Sequence, residues 1–303
     1  MKYNQLGSSK MHVSEIGFGC MSLSENHESN EKLLHEAVDL GINYFDTADL
    51  YKFGFNEESV GRALAKKRHS VFLATKGGNE WGPDIDGWRW NPSKSYIKEA
   101  CKNSLRRLGT DYIDLYQLHG GTIEDPLHES LEALDELVNE GLIRYYGTSS
   151  IRPNVIKRFV KNEPIVSNMM QYNILDRRPE EWFDLLNDHQ VSVIARGPVA
   201  KGLLTSASAE KLTEDGYLDY SGEELKNTVQ ELQTIADEAG LSLSSLALRY
   251  VLSSKPVATA IQGARTHKQL RDNVSAANTS LSPDTLAAVQ KAAKISYYDK
   301  HRD

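Results

Sequence analysis

Apolar positions along the chain fall into a repeating two-part rhythm. A short run of consecutive aliphatic or aromatic residues is followed by a longer stretch in which such residues recur every third or fourth position. The first run, residues 14–19, precedes a helical segment over 31–40 in which Leu33, Leu34, Ala37 and Val38 share a face before Gly41. The run 43–46 precedes a helix at 57–66, and the run 71–75 precedes one in which Ile97, Ala100, Cys101, Leu105 and Leu108 align before Gly109. After the run 112–118 come Asp125 and Pro126, read as a cap and a first-turn proline, and then the stripe Leu127, Leu131, Leu134, Leu137 and Val138. The runs 143–148, 165–170, 191–195 and 257–261 continue the pattern, with helices expected near 153–160, 179–187, 223–238 with 242–252, and 268–277.

Strands that alternate with helices in this way form a parallel sheet covered on both faces. Eight units in a chain of 303 residues favour closure into a (β/α)8 TIM barrel, of the α/β class, over an open sheet. Residues 1–13 read as an N-terminal β-hairpin turning at 7–10, and 283–293 as an extra C-terminal helix. No linker or charge block interrupts residues 1–303, so a single domain is expected, with polar loops at 77–91 and 205–222 over the barrel mouth.

The formal net charge of -7 and the pI near 5.8 argue against nucleic acid or an anionic membrane surface as the main partner, since those need a basic face, and still allow a local basic pocket. A small-molecule partner is the simplest alternative, and oligomeric state stays open. Cys20 and Cys101 form no Cys-x-x-Cys pair, which points to neither a disulfide framework nor zinc and fits a reducing cytoplasm. The opening residues lack the apolar core of a signal peptide, and no run approaches the roughly 20 apolar residues of a membrane span.

In such barrels chemistry is placed at the C-terminal ends of the strands. Those ends carry Asp46 with Tyr51 five residues on, Lys76 in Ala-Thr-Lys-Gly-Gly, and His119 in Leu-Tyr-Gln-Leu-His-Gly. A lysine ammonium beside a phenol stabilises the phenolate, and a carboxylate keeps that lysine charged and aimed. Tyr51 then becomes a general acid for a developing alkoxide, with His119 able to orient a carbonyl oxygen. Taken singly, each residue has a plainer role: Asp46 as a cap or a structural partner of Lys76, Tyr51 as packing, His119 as a satisfied core histidine. The set carries the argument.

With these motifs in order, the chain resembles the aldo-keto reductases over nearly its whole length. The shared features are Phe-Asp-Thr-Ala-x-x-Tyr, the Lys of Ala-Thr-Lys, the His of Leu-Tyr-Gln-Leu-His, Gly147-Thr-Ser149, the Arg-Gly-Pro-Val-Ala-Lys-Gly-Leu-Leu run from Arg196, and Gly-Ala-Arg-Thr-x-x-Gln-Leu-x-x-Asn from Gly263 to Asn273. The branch resembled is the bacterial oxidoreductase one, related to potassium-channel β-subunits. The resemblance implies a (β/α)8 barrel that binds NADPH without a Rossmann fold and reduces aldehydes and ketones, with Asp46, Tyr51, Lys76 and His119 as the catalytic four. The alternative it permits is an NADPH-holding, redox-sensing regulatory protein with slow turnover.

By the same resemblance, Gly19, Cys20 and Met21 approach the nicotinamide ribose, and Ser149 holds the carboxamide. Three positions depart from the family pattern. Ser150 stands where Asn is usual, Met169 where the amide-binding Gln would fall with Asn168 and Gln171 nearby, and Arg196 where an aromatic often stacks on the nicotinamide. The run Gly197, Pro198, Lys201, Gly202, Leu203 has the glycines and cation of a pyrophosphate-cradling loop, though a surface turn is glycine-rich too. Beyond Gly263, Arg265 with Gln269 and Asn273 suits a 2′-phosphate and hence NADP over NAD, a solvated helix start being the plain reading.

The loop 77–91 carries Trp81, Trp88 and Trp90, three of the four tryptophans, which are expected to wall an apolar substrate pocket unless they mark a protein contact. The tail 297–303 is the candidate for the other wall. A Schiff-base lyase using Lys76 is opposed by Asp46, which keeps the amine charged. A metal-dependent hydrolase lacks His-x-His at the first strand, so no metal is expected.

Overall fold

A computed structural model describes residues 1–162 and 164–302 of the chain. The expected barrel forms. Its eight parallel strands are β1 (Ile16–Gly19), β2 (Tyr44–Asp46), β3 (Phe72–Gly77), β4 (Ile113–Leu118), β5 (Ile143–Ser149), β6 (Ser167–Gln171), β7 (Ser192–Arg196) and β8 (Val257–Gln262). Each pairs with its sequence neighbours, and β8 closes on β1 through Ala260 opposite Ile16. Spatial order therefore equals chain order, so β2, β3 and β4 face β6, β7 and β8 across the barrel.

The strands read as unbroken apolar runs because both faces are covered; every residue of β4 is buried. One apolar cluster lies between sheet and helices, and a second fills the barrel interior. The N-terminal hairpin, Tyr3–Gln5 with His12–Ser14, adds Leu6, Met11 and Val13 to that interior and plugs the end away from the strand C-termini. Gly7 is required at its turn: φ is +54°, and a Cβ there would lie 2.1 Å from the Val166 carbonyl oxygen.

Helix caps follow from sequence. Asn26 accepts from the Ser29 amide at the start of His27–Asp39, and Ser221 forms a capping box with Glu224 at the start of Gly222–Glu238. Gly109 ends Lys94–Leu108 in the left-handed conformation. The extra C-terminal helix is Pro283–Ala292. Asp125 departs from its expected capping role. Its carboxylate accepts from the Thr122 amide (2.6 Å), the Thr122 hydroxyl (2.8 Å) and the Trp90 indole (2.9 Å), and Leu127–Asn139 begins from Pro126 with no side-chain cap. The loop 77–91 contains a short hairpin, Asn79–Glu80 with Arg89–Trp90, and 205–222 contains the turn of helix Ser208–Lys211. The helix expected at 179–187 is α-helical only over Phe183–Asp188, after a 3-10 turn at Arg178–Trp182. Among the described residues no helix is long and apolar enough to cross a membrane.

Candidate active site

Three adjacent strands deliver the chemistry. Asp46 ends β2 and Lys76 lies one residue before the end of β3, both essentially without solvent contact. The Lys76 ammonium donates to Asp46 Oδ1 at 2.5 Å and to the Thr47 carbonyl at 2.7 Å, while Gln117 Nε2 donates to Asp46 Oδ2 at 3.2 Å. Burial alone would strip the proton from Lys76, but Asp46 and then Tyr51 outweigh it and raise its proton affinity. Burial pushes the Asp46 carboxyl up, against the pull of Lys76 and Gln117. A buried, hydrogen-bonded ammonium is the outcome.

Tyr51 is reached through an unusual turn. Lys52 and Phe53 both take left-handed backbone conformations (φ 50° each), and Gly54 follows at φ 90°, where a Cβ would lie 2.6 Å from the Arg107 side chain. Such strain in non-glycine residues persists only where the surroundings impose it. Here the loop is tied down by Thr47 Oγ1 donating to Asn56 Oδ1 (2.6 Å) and Asn56 Nδ2 donating to the Cys20 carbonyl (2.8 Å). The turn brings the Tyr51 ring over the lysine, with Nζ 5.2 Å from its centroid, and edge-on to His119 at 5.9 Å and 83°.

His119 follows β4, its backbone amide extending the sheet to the Gly77 carbonyl. Its ring is largely buried, and Nδ1 has no hydrogen-bond partner among the described residues. Burial first, then the positive charges of Lys76 and Arg196, push its pKa down to about 3. His119 is therefore neutral across the physiological range, able both to donate from one ring nitrogen and to accept at the other. A depressed histidine has a definite linkage sign. Unfolded, His119 gains its proton near the ordinary histidine value of 6.5, so the unfolded chain binds more protons and stability falls as pH drops from there toward about 3. His119→Gln is expected to flatten that acid loss in urea titrations taken from neutral pH to about pH 4. Equal slopes in both proteins would show that the ring titrates normally.

Asp46, Tyr51, Lys76 and His119 share a cavity of about 480 Å³ with Ser149, Met169 and Arg196. Gly19, Met21, Gly197 and Gly263 also line it. Not every residue expected at the cofactor faces it. Cys20 is fully buried, its thiol pushed well up by burial and then by Asp46, and Ser150 is buried with its hydroxyl accepting from the Arg152 amide. Gln171 is half-buried at the end of β6, bonded to Asp176 and Arg196, while Leu203 and Pro198 are buried. Lys201 (φ 57°) is exposed beside Gly202. Arg265 opens on an adjoining hollow of about 670 Å³ with Met21 and Ser22, whereas Gln269 and Asn273 line another of about 540 Å³ with Thr205. Gln269 accepts from the Arg265 amide and Asn273 donates to the Gly263 carbonyl.

None of the three loop tryptophans lines the catalytic cavity. Trp90 seals Gly78 and Gly120 and bonds Asp125; Trp81 packs on Phe53 (5.5 Å) beneath Arg107; Trp88 is 53 % exposed. In the tail Tyr298 is buried against the Arg178 guanidinium (4.7 Å), Tyr297 is exposed, and Asp303 lies outside the described residues. Two residues escaped the sequence reading. Gln117 shares its strand face with His119, two residues away, and period-two spacing would have found it. Asp49 lies buried beneath the tyrosine loop, its carboxyl raised to about 8 by burial and then by Glu57, against the pull of Arg107. Among the described residues no group of three or more His, Cys, Asp or Glu is poised to hold a metal.

A barrel with this strand-end array also has a matching family model, Aldo/keto reductase family, over residues 15–294. The chain belongs to that family. It is thus an oxidoreductase of the kind that acts on carbonyl groups. Among its relatives, "Uncharacterized oxidoreductase YqkF" of Bacillus subtilis is 53% identical, each protein covered in full. "Aldo-keto reductase yakc [NADP(+)]" of Schizosaccharomyces pombe is 32% identical over 92% of this reductase and 88% of its own length. The solved structure of aldo-keto reductase AKR11C1 from Bacillus halodurans in its holo form superposes with a TM-score of 0.95 at 53% identity, covering all of both chains.

Proposed function

We propose that this reductase converts small aldehydes and ketones to alcohols with NADPH, Tyr51 giving the proton. The observation that carries the reading is the buried Lys76 ammonium, bound to Asp46 and lying 5.2 Å from the Tyr51 ring inside a cavity closed by a neutral His119. The cofactor is argued from charge and space. Arg196, Lys201 and Arg265 have no carboxylate partner within 4.0 Å among the described residues; Arg196 lines the catalytic cavity, Arg265 lines the hollow that shares Met21 and Ser22 with it, and Lys201 is exposed in the 197–203 loop that follows Arg196. Unneutralised cations at strand ends fit a dinucleotide carrying a pyrophosphate and a third phosphate. A relative whose name carries NADP(+) and a neighbour solved in holo form agree with this.

When bound, NADPH supplies the hydride. The protein's part is to place and charge the carbonyl. His119 donates a hydrogen bond to the carbonyl oxygen; because it is uncharged, it polarises without competing as a proton source. Tyr51 transfers its phenolic proton to the oxygen as negative charge develops there. Lys76 stabilises the phenolate left behind, and Asp46, held by Gln117, keeps the lysine protonated and stationary. Ser149 is assigned to the carboxamide, Gly19 and Met21 to the ribose, the 197–203 loop to the pyrophosphate, and Arg265, its backbone amide held by Gln269, to the 2′-phosphate.

Titration with NADPH and NADH, followed by quenching of tryptophan fluorescence, tests the assignment. NADPH is expected to bind more tightly, and Arg265→Ala to weaken NADPH by about tenfold to a hundredfold, the worth of a charge-assisted hydrogen bond, with NADH nearly unaffected. Equal loss for both nucleotides would remove Arg265 from the 2′-phosphate. Tight NADPH binding without turnover of any aldehyde or ketone in a broad panel would leave a nucleotide-holding protein and no reductase.

A further inference from the structure

The two sides of the catalytic cavity differ in charge. Tyr51, Lys76 and His119 follow β2, β3 and β4, and β7, which carries Arg196 at its C-terminal end, lies directly across the barrel from β3. Lys76 is neutralised by Asp46 at 2.5 Å, and His119 carries no charge at neutral pH. Arg196 is different. Its guanidinium donates to an uncharged amide, the Oε1 of Gln171 at 3.2 Å, and no carboxylate lies within 4.0 Å of it among the described residues.

The guanidinium is also held in place by a built arrangement. Gln171 Nε2 donates to Asp176 Oδ2 at 2.8 Å, which fixes the amide so that its oxygen points to Arg196. Asp176 is fully buried and is itself clamped by Arg178 through two bonds of 2.7 and 2.8 Å. Because Arg178 consumes the carboxylate, Asp176 orients Gln171 without neutralising Arg196. The positive charge on this wall is thus positioned and left uncompensated.

Arg196 lines the same cavity as Tyr51, Lys76 and His119, so a nicotinamide that delivers hydride to a carbonyl held by Tyr51 and His119 shares that cavity with its guanidinium. This step rests on the NADP(H) reading above. When the dihydropyridine C–H bond breaks and a C–H bond forms at the carbonyl carbon, Tyr51 delivers the proton to oxygen and the nicotinamide is left with one positive charge. We infer that Arg196 is a redox-biasing residue, whose fixed cation disfavours the oxidised nicotinamide relative to the reduced one, so that the site holds NADPH more tightly than NADP+ and favours reduction. A planar guanidinium is compatible with packing on the neutral ring, so the bias does not require loss of NADPH affinity. The phosphates are common to both redox forms and cancel in the comparison.

The experiment is the ratio of NADP+ to NADPH dissociation constants, measured on the full chain by fluorescence quenching and by calorimetry. Two unit charges several ångströms apart at a solvent-exposed site predict a ratio that falls by about tenfold in Arg196→Gln and is retained in Arg196→Lys. The ratio divides out any general weakening of nucleotide binding, and an exposed side chain leaves folding intact. An unchanged ratio in Arg196→Gln overturns the inference and leaves the cofactor reading standing. Failure of the unsubstituted protein to bind either nucleotide overturns both.

Discussion

Tyr51→Phe is expected to cut aldehyde turnover by about a hundred- to ten-thousandfold, the range associated with a positioned general acid, while NADPH affinity stays within about twofold because an interaction made only in the transition state is lost. The substitution is clean. Phenylalanine keeps the ring that meets His119 edge-on at 5.9 Å and covers the Lys76 ammonium at 5.2 Å, so the strained turn over Lys52 and Phe53 is not disturbed. Single-turnover rates and nucleotide titration on the same preparation decide it. Retained turnover would move the proton donor elsewhere, and His119, which has no proton to spare at neutral pH beyond its one N–H, would be the next candidate. Loss of nucleotide binding would instead mean that the phenol supports the cofactor.

The strand-helix rhythm carried the barrel because parallel strands buried on both faces are continuous apolar runs and need helical covers of fixed length. The four strand-end residues were legible for a related reason: side chains at the C-terminal rim have no core to fill, so an Asp, Lys or His there stands out. What the sequence concealed depends on tertiary competition for the same groups. Asp125 has a capping residue's identity, yet Thr122 and Trp90 take its carboxylate. The tryptophans of 77–91 read as a pocket wall, but Trp90 closes the space over Gly78 and Gly120, and Trp81 packs with Phe53 and Arg107. Cys20 lies between two cavity-lining residues, Gly19 and Met21, and the 3-10 turn at Cys20–Ser22 turns it inward. The role of Asp176 in fixing Gln171 could not be read at all, because it depends on Arg178 occupying the same carboxylate.

The second large effect separates structure from chemistry at the Lys76–Asp46 pair. Lys76→Met removes the partner of a carboxylate that is 2 % exposed, and breaking a buried pair from one side costs about 3–5 kcal/mol. The cost has a pH signature. Burial already pushes the Asp46 carboxyl above its ordinary value, and without Lys76 nothing but Gln117 opposes it. A carboxyl whose folded proton affinity exceeds its unfolded one stabilises the fold when protonated, so Lys76→Met is least damaged in acid. It loses stability as pH rises from the unfolded value near 3.8 through the higher folded one. The double variant Lys76→Met with Asp46→Leu removes the buried charge as well. It is expected to recover most of the lost stability and to lose the pH slope, less about 1–3 kcal/mol for the Gln117 amide left without its acceptor. Activity should follow the opposite logic, with both variants inactive because neither has an ammonium beside Tyr51. Urea unfolding across pH, run beside turnover assays, reads the two effects independently. A double variant no more stable than Lys76→Met would mean that the pair is stabilising beyond its mutual neutralisation, and turnover in either variant would show that Tyr51 works without the lysine.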